Sequence, residues 1–452
     1  IQNHTLGFSG GSDNARYYAG LSYYDEQGVV IGTRLKKYGL RLNSEFKVKD
    51  FIRVGQNFQY TYRERPGIDG PAAENDIMFA LTINPLIPVY DEAGGFAGTT
   101  AAGFNNSTQP VARRIRSKDN KGFSSLIQGN IYAEVDFLRH FTARTSFGGI
   151  FNMFQFRFLN YRTYENSENV GNYTFGEGSG NGAGWIWTNT IKYSQEIGKH
   201  NINFIGGIEA IADGWFRGLD GNGLNPFSVN LNYLTITNTD PSGRQVNSSG
   251  SPLTKLYSQF GKVDYSFDDR LLFSATVRRD GASVFGEEDK YGVFPALSAG
   301  WRITQEEFMR STAWITELKI RGGWGKMGNS RISSSNGVNS AGSQAIFGYD
   351  LGGGNTSTSP GIALTGIGNP LAKWESNTTI NVGFDGTLFN GRLDVIFDWY
   401  TRKTEGLLYN QEIAATIGGT AQAPYVNIGS MENKGIGVML TYKSRAGYHF
   451  RF

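Results

Sequence analysis

From Tyr38 to Arg63 the chain reads YGLRLNSEFKVKDFIRVGQNFQYTYR, with an apolar side chain at nearly every second place and a polar or charged one between. Successive side chains of a β-strand point to opposite faces, so this period of two predicts strands and not amphipathic helices. Tyr38, Leu40, Leu42, Phe46 and Val48 share one face, and Arg41, Asn43, Glu45 and Lys47 share the other. After a turn at Lys49-Asp50 the pattern resumes, with Ile52, Val54, Phe58, Tyr60 and Tyr62 opposed to Arg53, Asn57, Gln59, Thr61 and Arg63. Each arm runs for about eleven residues or more, which exceeds the usual five or six of a soluble strand and matches the nine to eleven that cross a bilayer at a tilt.

The same unit of strand, tight turn, strand and long polar loop recurs along the chain. FSSLIQGNIYAEVDFLRHFTARTSFGGIF turns near Arg139-His140, NTIKYSQEIGKHNINFIGGIEA at Gly198-Lys199, LYSQFGKVDYSFDDRLLFSATVRRD at Asp268 to Arg270, and TINVGFDGTLFNGRLDVIFDWYTRK at Asn390-Gly391. Such runs predict about fifteen strands, with a sixteenth starting near Tyr448. Connections alternate in length: those near 50, 139, 199, 269 and 391 are short, whereas 64–122, 161–183, 217–252, 328–375 and 405–430 are long and rich in Gly, Ser, Asn, Thr and Pro. Short turns at one rim and long loops at the other is the asymmetry of outer-membrane barrels, periplasmic and extracellular respectively. The expectation is therefore all-β, a transmembrane antiparallel β-barrel. One interruption, Thr304 to Glu317, reads as a short helical insert on the short-turn rim.

Composition narrows the choice. Hydrophobic residues make up 39% of the chain and mean hydropathy is -0.36, with no run near the roughly eighteen apolar residues of a membrane helix. A barrel stays open because alternate residues face a polar interior and dilute the signal. The 23 Tyr and 31 Phe suit aromatic girdles better than a soluble sandwich. Basic and acidic residues, 43 and 40, nearly balance to +3, so no nucleic-acid surface is indicated. The absence of Cys excludes disulfides and thiolate metal sites.

Candidate chemistry is sparse. Gly7-Phe8-Ser9-Gly10-Gly11 matches G-x-S-x-G, but a nucleophile elbow needs a helix after the turn and another strand pattern follows, so a tight turn is the reading. His4, His140, His200 and His449 lack metal-ligand spacing. GEGSGNGAG, 176–184, lacks the G-K-S/T ending of a phosphate cradle and reads as a flexible loop. Glu287, Glu288 and Asp289 read as a solvated acidic tip, and Arg278, Arg279 and Asp280 as an ion-pair clasp at a loop base. Trp185 and Trp187 share a face, as an aromatic girdle or as a stacking pair for a ligand. No enzyme activity and no cofactor are expected.

Val277 to Met309, VRRDGASVFGEEDKYGVFPALSAGWRITQEEFM, resembles over its length a signature of the SusC-like TonB-dependent transporters of the Bacteroidetes outer membrane. NHTLGFSGGSDNARYYAGLSYYDEQGVV, NPLIPVYDEAGG, LKIRGGWGKMGN, NPLAKWESNTTINVGFDGTLFNGRLDVIFDWYTRKTEGLL and VNIGSMENKGIGV are similar in the same order, so the resemblance covers essentially residues 1–452. It implies a periplasmic N-terminal region, a plug domain and a barrel of about 22 strands. On that footing the sequence is a partial barrel domain, with the plug, the TonB-contacting segment and the last strands outside it, and GYHFRF as an interior strand cut short. Arg41, Asn43, Glu45, Arg53, Asn57 and Gln59 become a lumen-facing polar wall whose expected task is to hold the plug by hydrogen bonds.

The activity implied is active import of oligosaccharides or peptides across the outer membrane, with a SusD-like surface lipoprotein as lid, TonB as the source of force, and outer-membrane lipid and lipopolysaccharide as surroundings. The alternative is a SusC-like barrel serving as a scaffold in an envelope assembly. A passive porin fits poorly, because so wide a barrel would leak if unplugged.

Overall fold

The computed structural model describes residues 1–452 apart from 67–75, 101–102, 105–106, 351–357, 415, 417–418, 420, 445–448 and 452. Strands β1 (Gln2–Ser12), β2 (Ala15–Gln27), β3 (Arg34–Lys49) and β4 (Ile52–Pro66) pair antiparallel in succession. Two short helices, α1 (Asp76–Thr82) and α2 (Pro110–Ser117), precede β5 (Lys121–Phe137), β6 (Phe141–Asn160), β7 (Thr174–Ile197), β8 (His200–Leu224) and β9 (Gln245–Ser251). The chain continues through β10 (Thr254–Phe267), β11 (Leu271–Ala282), β12 (Tyr291–Arg302), β13 (Ile315–Asn329), β14 (Ser340–Asp350) and β15 (Thr358–Gly366). It ends in β16 (Glu375–Leu388), β17 (Leu393–Asn410), β18 (Tyr425–Lys443) and β19 (His449–Arg451).

Seventeen strands belong to one sheet, of which β9 is a seven-residue strand on the end of β8, and β14 with β15 forms a separate ribbon. The chain divides into two compact units, Ile1–Ala133 with Phe147–Trp185 and Asp213–Leu253, and Glu134–Ser146 with Ile186–Ala212 and Thr254–Phe452.

In the first unit the register aligns the faces read from the sequence. Leu40 stands opposite Tyr60, Leu42 opposite Phe58 and Phe46 opposite Val54, while Arg41 meets Gln59, Asn43 meets Asn57 and Lys47 meets Arg53. The apolar face is open to the medium at Tyr38, Phe46 and Val48, 41%, 49% and 60% exposed, and half-buried at Leu40, Leu42, Val54 and Phe58. An apolar face left this open along two long strands suits lipid better than water. The buried residues Leu159, Phe175, Leu231 and Leu234 instead pin the connections after β6 and β8 to the strand ends. In the second unit Ala282, Val284, Phe285 and Ala372 form a matching cluster, closed by Trp374 against Phe285 and Phe294. The resemblance segments VRRDGASVFG and NPLAKWE thus meet in one packing site.

Three of the tight turns take successive residues through positive φ, Leu138 and Arg139 at 49° and 59°, Asp268 and Asp269 at 52° and 51°, Phe389 and Asn390 at 55° and 56°. Two such residues in a row twist with the strands they join, as a primed hairpin turn requires. At the other ends the strands outrun the segments read as loops. β4 reaches Pro66 and β5 begins at Lys121, with α1 and α2 inside 64–122. β7 starts at Thr174 within 161–183, β8 ends at Leu224 and β9 lies within 217–252. β13 reaches Asn329 and the β14–β15 ribbon lies within 328–375; β17 ends at Asn410 and β18 begins at Tyr425 within 405–430. Ladder pairing continues there on Gly- and Ser-rich sequence because the backbone needs only a partner strand, not an apolar side chain. Thr304 to Glu317 is not helical: 3₁₀ turns at Ile303–Gln305 and Glu307–Met309 are followed by β13, the Glu306 carboxylate being held by Arg270 Nη1 at 2.8 Å and Trp301 Nε1 at 3.0 Å. Tyr448 and Phe452 of GYHFRF lie outside the described residues, and His449–Arg451 between them pairs antiparallel with β18.

Substitutions are expected to sort by face. Val54→Arg or Phe58→Arg should cost about 2–4 kcal/mol near the bilayer midplane, and Asn57→Arg on the polar face much less. Comparable losses at all three sites, measured by refolding into lipid, would contradict the facing.

Candidate functional site

The polar faces of β3, β4 and β5 form a hydrogen-bonded wall. Asn57 Nδ2 donates to Asn130 Oδ1 at 3.0 Å, Gln128 Nε2 to Gln59 Oε1 at 3.4 Å, and Tyr132 OH to Glu45 Oε2 at 2.7 Å. Arg41, Asn43, Glu45, Arg53, Asn57 and Gln59 therefore occupy one face, as the alternation required. Asn43 Oδ1 is buried with no hydrogen-bond partner among the described residues.

A denser network crosses β13, β16 and β17 in the second unit. Arg321 grips Asp398 with both Nη atoms, at 2.6 and 2.9 Å, and its Nε reaches both oxygens of Asp385 at 3.1 Å. Asn381 joins both Arg321 and Asp398, at 3.1 Å each. A guanidinium suits this place because its planar fork meets two carboxylates at once. A second clasp is built on β11: Arg278 Nε donates to Asp280 at 2.7 Å and Nη2 to Glu209 and Ser258, each at 2.8 Å. Arg279 points to the other face and lies 3.8 Å from the Tyr291 ring centroid, so only Arg278 and Asp280 form the expected clasp. Asp289 pairs with Lys373 at 3.4 Å, and no group of metal-ligating side chains occurs among the described residues.

The connections after β4 and β6 fold into structure of their own. Gln109 caps α2 by accepting from Val111 N at 3.2 Å, and Pro110 starts the helix where an N–H would have no partner. Arg114, 2% exposed, pairs with Asp76 at 3.0 Å and donates to Ile31 O at 3.0 Å, tying α1 and α2 to the β2–β3 connection. Arg116 reaches across to Glu165 with both Nη atoms, at 2.7 and 3.2 Å, and its guanidinium lies 5.2 and 5.6 Å from the ring centroids of Phe96 and Tyr164. Burial alone would raise the Glu165 carboxyl; the Arg116 fork and the Tyr164 N–H outweigh it and hold the group below the usual carboxylate range.

Under this lock lies a cavity of ≈ 830 Å³, lined by α2, by 161–170 and by the outer half of β6. Its phenyl rings come from Phe123 and from Phe154, Phe156 and Phe158, the last three near-parallel neighbours at centroid spacings of 6.5 and 6.2 Å, extended by Phe216 at 5.9 Å from Phe154. The rings of Phe154, Phe156 and Phe158 occupy space vacated by glycine. A Cβ at Gly176 would stand 2.3 Å from Phe158 Cζ, one at Gly178 2.6 Å from Phe156 Cζ, and one at Gly180 2.7 Å from Phe154 Cζ. The segment GEGSGNGAG is thus the regular start of β7 and not a flexible loop, its alternate glycines accepting an aromatic row from the strand before. Trp185 stacks with Phe147 at 6.1 Å, and Trp187 Nε1 donates to Thr145 Oγ1 at 3.1 Å, both exposed. G-x-S-x-G at 7–11 lies in β1 with β2 following, so no nucleophile elbow forms.

Gly176→Ala should displace Phe158 and cost about 1–3 kcal/mol by overpacking, and adding Phe158→Ala should recover part of the loss. Purely additive losses in denaturant unfolding would separate the two positions. For Glu165 the folded value is depressed, so its contribution is present above the unfolded value and lost as pH falls through the folded one. As pH falls below the ordinary glutamate range hydrogen exchange at 161–170 should rise, whereas Glu165→Gln should show that exchange already at neutral pH. Equal protection in both proteins at both pH values would remove the lock from the account.

A family model described as TonB dependent receptor-like, beta-barrel matches residues 41–451. TonB-dependent receptor P26 of Formosa agariphila is 29% identical over 96% of this chain and 42% of its own length. TonB-dependent receptor SusC of Bacteroides thetaiotaomicron is 28% identical over 96% of this chain and 44% of its own. The solved structure of the RagAB peptide transporter superposes with a TM-score of 0.79 at 21% identity, over 98% of this chain and 48% of that one. The chain spans less than half the length of these relatives. No helix among the described residues is long and apolar enough to cross a membrane. With its alternating faces, its polar wall and these matches, the chain belongs to the TonB-dependent receptor-like β-barrel family, as a SusC-like barrel of the bacterial outer membrane.

Proposed function

We propose that the whole protein imports oligosaccharides or peptides across the outer membrane, driven through TonB, with a SusD-like lipoprotein closing over its long connections. The observation that carries this reading is the cavity itself. The connections after β4 and β6 are tied down by Arg114–Asp76 and Arg116–Glu165 to build a space in the roughly 300–1,000 Å³ range of ligand pockets. A barrel that only scaffolded other proteins would have no use for such a space at its long-connection end. Matches to SusC and to a structure named as the RagAB peptide transporter support import over scaffolding. In this reading the connections 67–120, 161–173, 225–253, 330–374 and 411–424 face outward, and the polar wall around Arg41, Asn43, Glu45, Arg53, Asn57 and Gln59 seats a plug supplied by the rest of the protein. A lid that closes before the plug opens would let a wide barrel stay selective.

Purified in mild detergent, the full-length protein should bring a surface lipoprotein with it, and uptake by cells should stop when TonB is deleted. Purification alone, with uptake unchanged, would contradict import. A label at Gly171, exposed with open space around it, should be reachable on intact cells, and one at Gly391 should not. Labelling at Gly391 without permeabilisation would reverse the orientation.

A further inference from the structure

The cavity in the first unit has a chemistry more specific than its size. Its charged side chains are Arg65, Arg113, Arg116 and Arg157 against Glu165 and Glu168, four cations to two anions. Arg116 is spent on Glu165, Arg157 lies 3.4 Å from Glu177, and Arg113 lies 3.4 Å from Asp76. Arg65 is exposed at the cavity and has no carboxylate partner among the described residues. The floor is phenyl and carries no hydrogen-bonding atom. Thr108, Ser117, Ser124, Gln155, Asn160, Tyr161 and Thr174 add polar side chains to the lining, whereas its two buried amides and Thr163 are already used. Asn120 Oδ1 accepts from Leu159 N at 3.0 Å, Asn166 Oδ1 from Gln109 N at 3.4 Å, and Thr163 Oγ1 from Val170 N at 2.8 Å.

That inventory discriminates between ligand classes. A sugar chain presents hydroxyls around every ring, and each needs a partner when water is removed. The rings of Phe154, Phe156 and Phe158 offer none to the side that lies on them. A short peptide presents apolar side chains that can lie on phenyl rings, backbone groups that can stay wet, and carboxylates that match a guanidinium. Building on the import reading, we propose that this chamber binds a short acidic peptide, its apolar side chains against Phe154, Phe156 and Phe158 and a carboxylate on Arg65. The row of glycines in β7 serves the same end, since any side chain at Gly176, Gly178 or Gly180 would dislodge the rings from the floor.

The test uses the full-length protein together with any lipoprotein that co-purifies, titrated calorimetrically with three probes: the peptide Glu-Phe-Leu-Glu, its counterpart Gln-Phe-Leu-Gln-amide, and trigalacturonic acid. The acidic peptide should bind about threefold more tightly than the amide, since an ion pair with the exposed Arg65 is screened by solvent. Arg65→Gln should abolish that preference, and Phe156→Ser should weaken both peptides, with Phe156→Leu restoring part of the binding. Because Arg65 is exposed, Arg65→Gln remains informative if Phe156→Ser fails to fold. Trigalacturonic acid binding in place of the peptides, or peptide affinities unmoved by Arg65→Gln and Phe156→Leu, would overturn the assignment. The outcomes separate from those of the import reading. Peptide binding that depends on Arg65 in a protein whose uptake ignores TonB keeps the chamber and removes import. TonB-dependent uptake with peptide binding indifferent to both residues does the reverse.

Discussion

Hydrocarbon offers no hydrogen bonds, so each backbone N–H and C=O that crosses the membrane must be met by the neighbouring strand. This requirement fixes the rest of the molecule. It forces long strands, and it forces a register between them. Register then decides which side chains share a face, because a slip of one residue would turn Leu40, Leu42 and Phe46 inward and Arg41, Asn43 and Glu45 into lipid. The polar wall is a consequence: Tyr132 can reach Glu45 and Asn130 can reach Asn57 only because β4 and β5 are locked at one setting. The Arg321 network adds a side-chain constraint of the same kind, since its two carboxylates sit on different strands and align only in this register.

The membrane-crossing part was legible because a period of two needs only local sequence. Leu40 opposite Tyr60 and Asn43 opposite Asn57 follow once the turn at Lys49-Asp50 is placed. The Arg321 network was not legible, since its partners lie 64 and 77 residues away and nothing local marks them. The outer part of β7 was missed for another reason. GEGSGNGAG has no apolar alternation, and its strand character becomes visible only when its glycines at every second place are set against Phe154, Phe156 and Phe158 at every second place on the preceding strand. That complementary pair was present in the sequence as a signal between two segments, each uninformative alone. The insert at Thr304–Glu317 failed because composition suggested a helix where Glu306, held by Arg270 and Trp301, bends the chain into 3₁₀ turns.

Outside the membrane the organising forces change. Buried ion pairs such as Arg114–Asp76 gain little over an apolar substitute, but losing one partner costs about 3–5 kcal/mol, so they specify one arrangement of a long connection. The packing of Trp374 against Phe285 and Phe294 does the same for the connections after β11 and β15 without charge. The resemblance segments therefore mark where connections are anchored. The cavity wall and floor are set by different residues, Arg65, α2 and the Phe row.

If the two faces of Leu40 to Tyr62 meet lipid and water in turn, labels along this segment should sort by parity. Residues 1–452 hold no Cys, so, with any Cys elsewhere in the full-length protein replaced, single cysteines can be introduced from Leu40 to Tyr62 and spin-labelled in that protein reconstituted in lipid. Even-numbered positions should collide with dissolved oxygen and odd-numbered ones with a water-soluble nickel complex, in a period of two broken only at the 49–52 turn. A period near 3.6, or equal access of both reagents at neighbouring positions, would contradict the account.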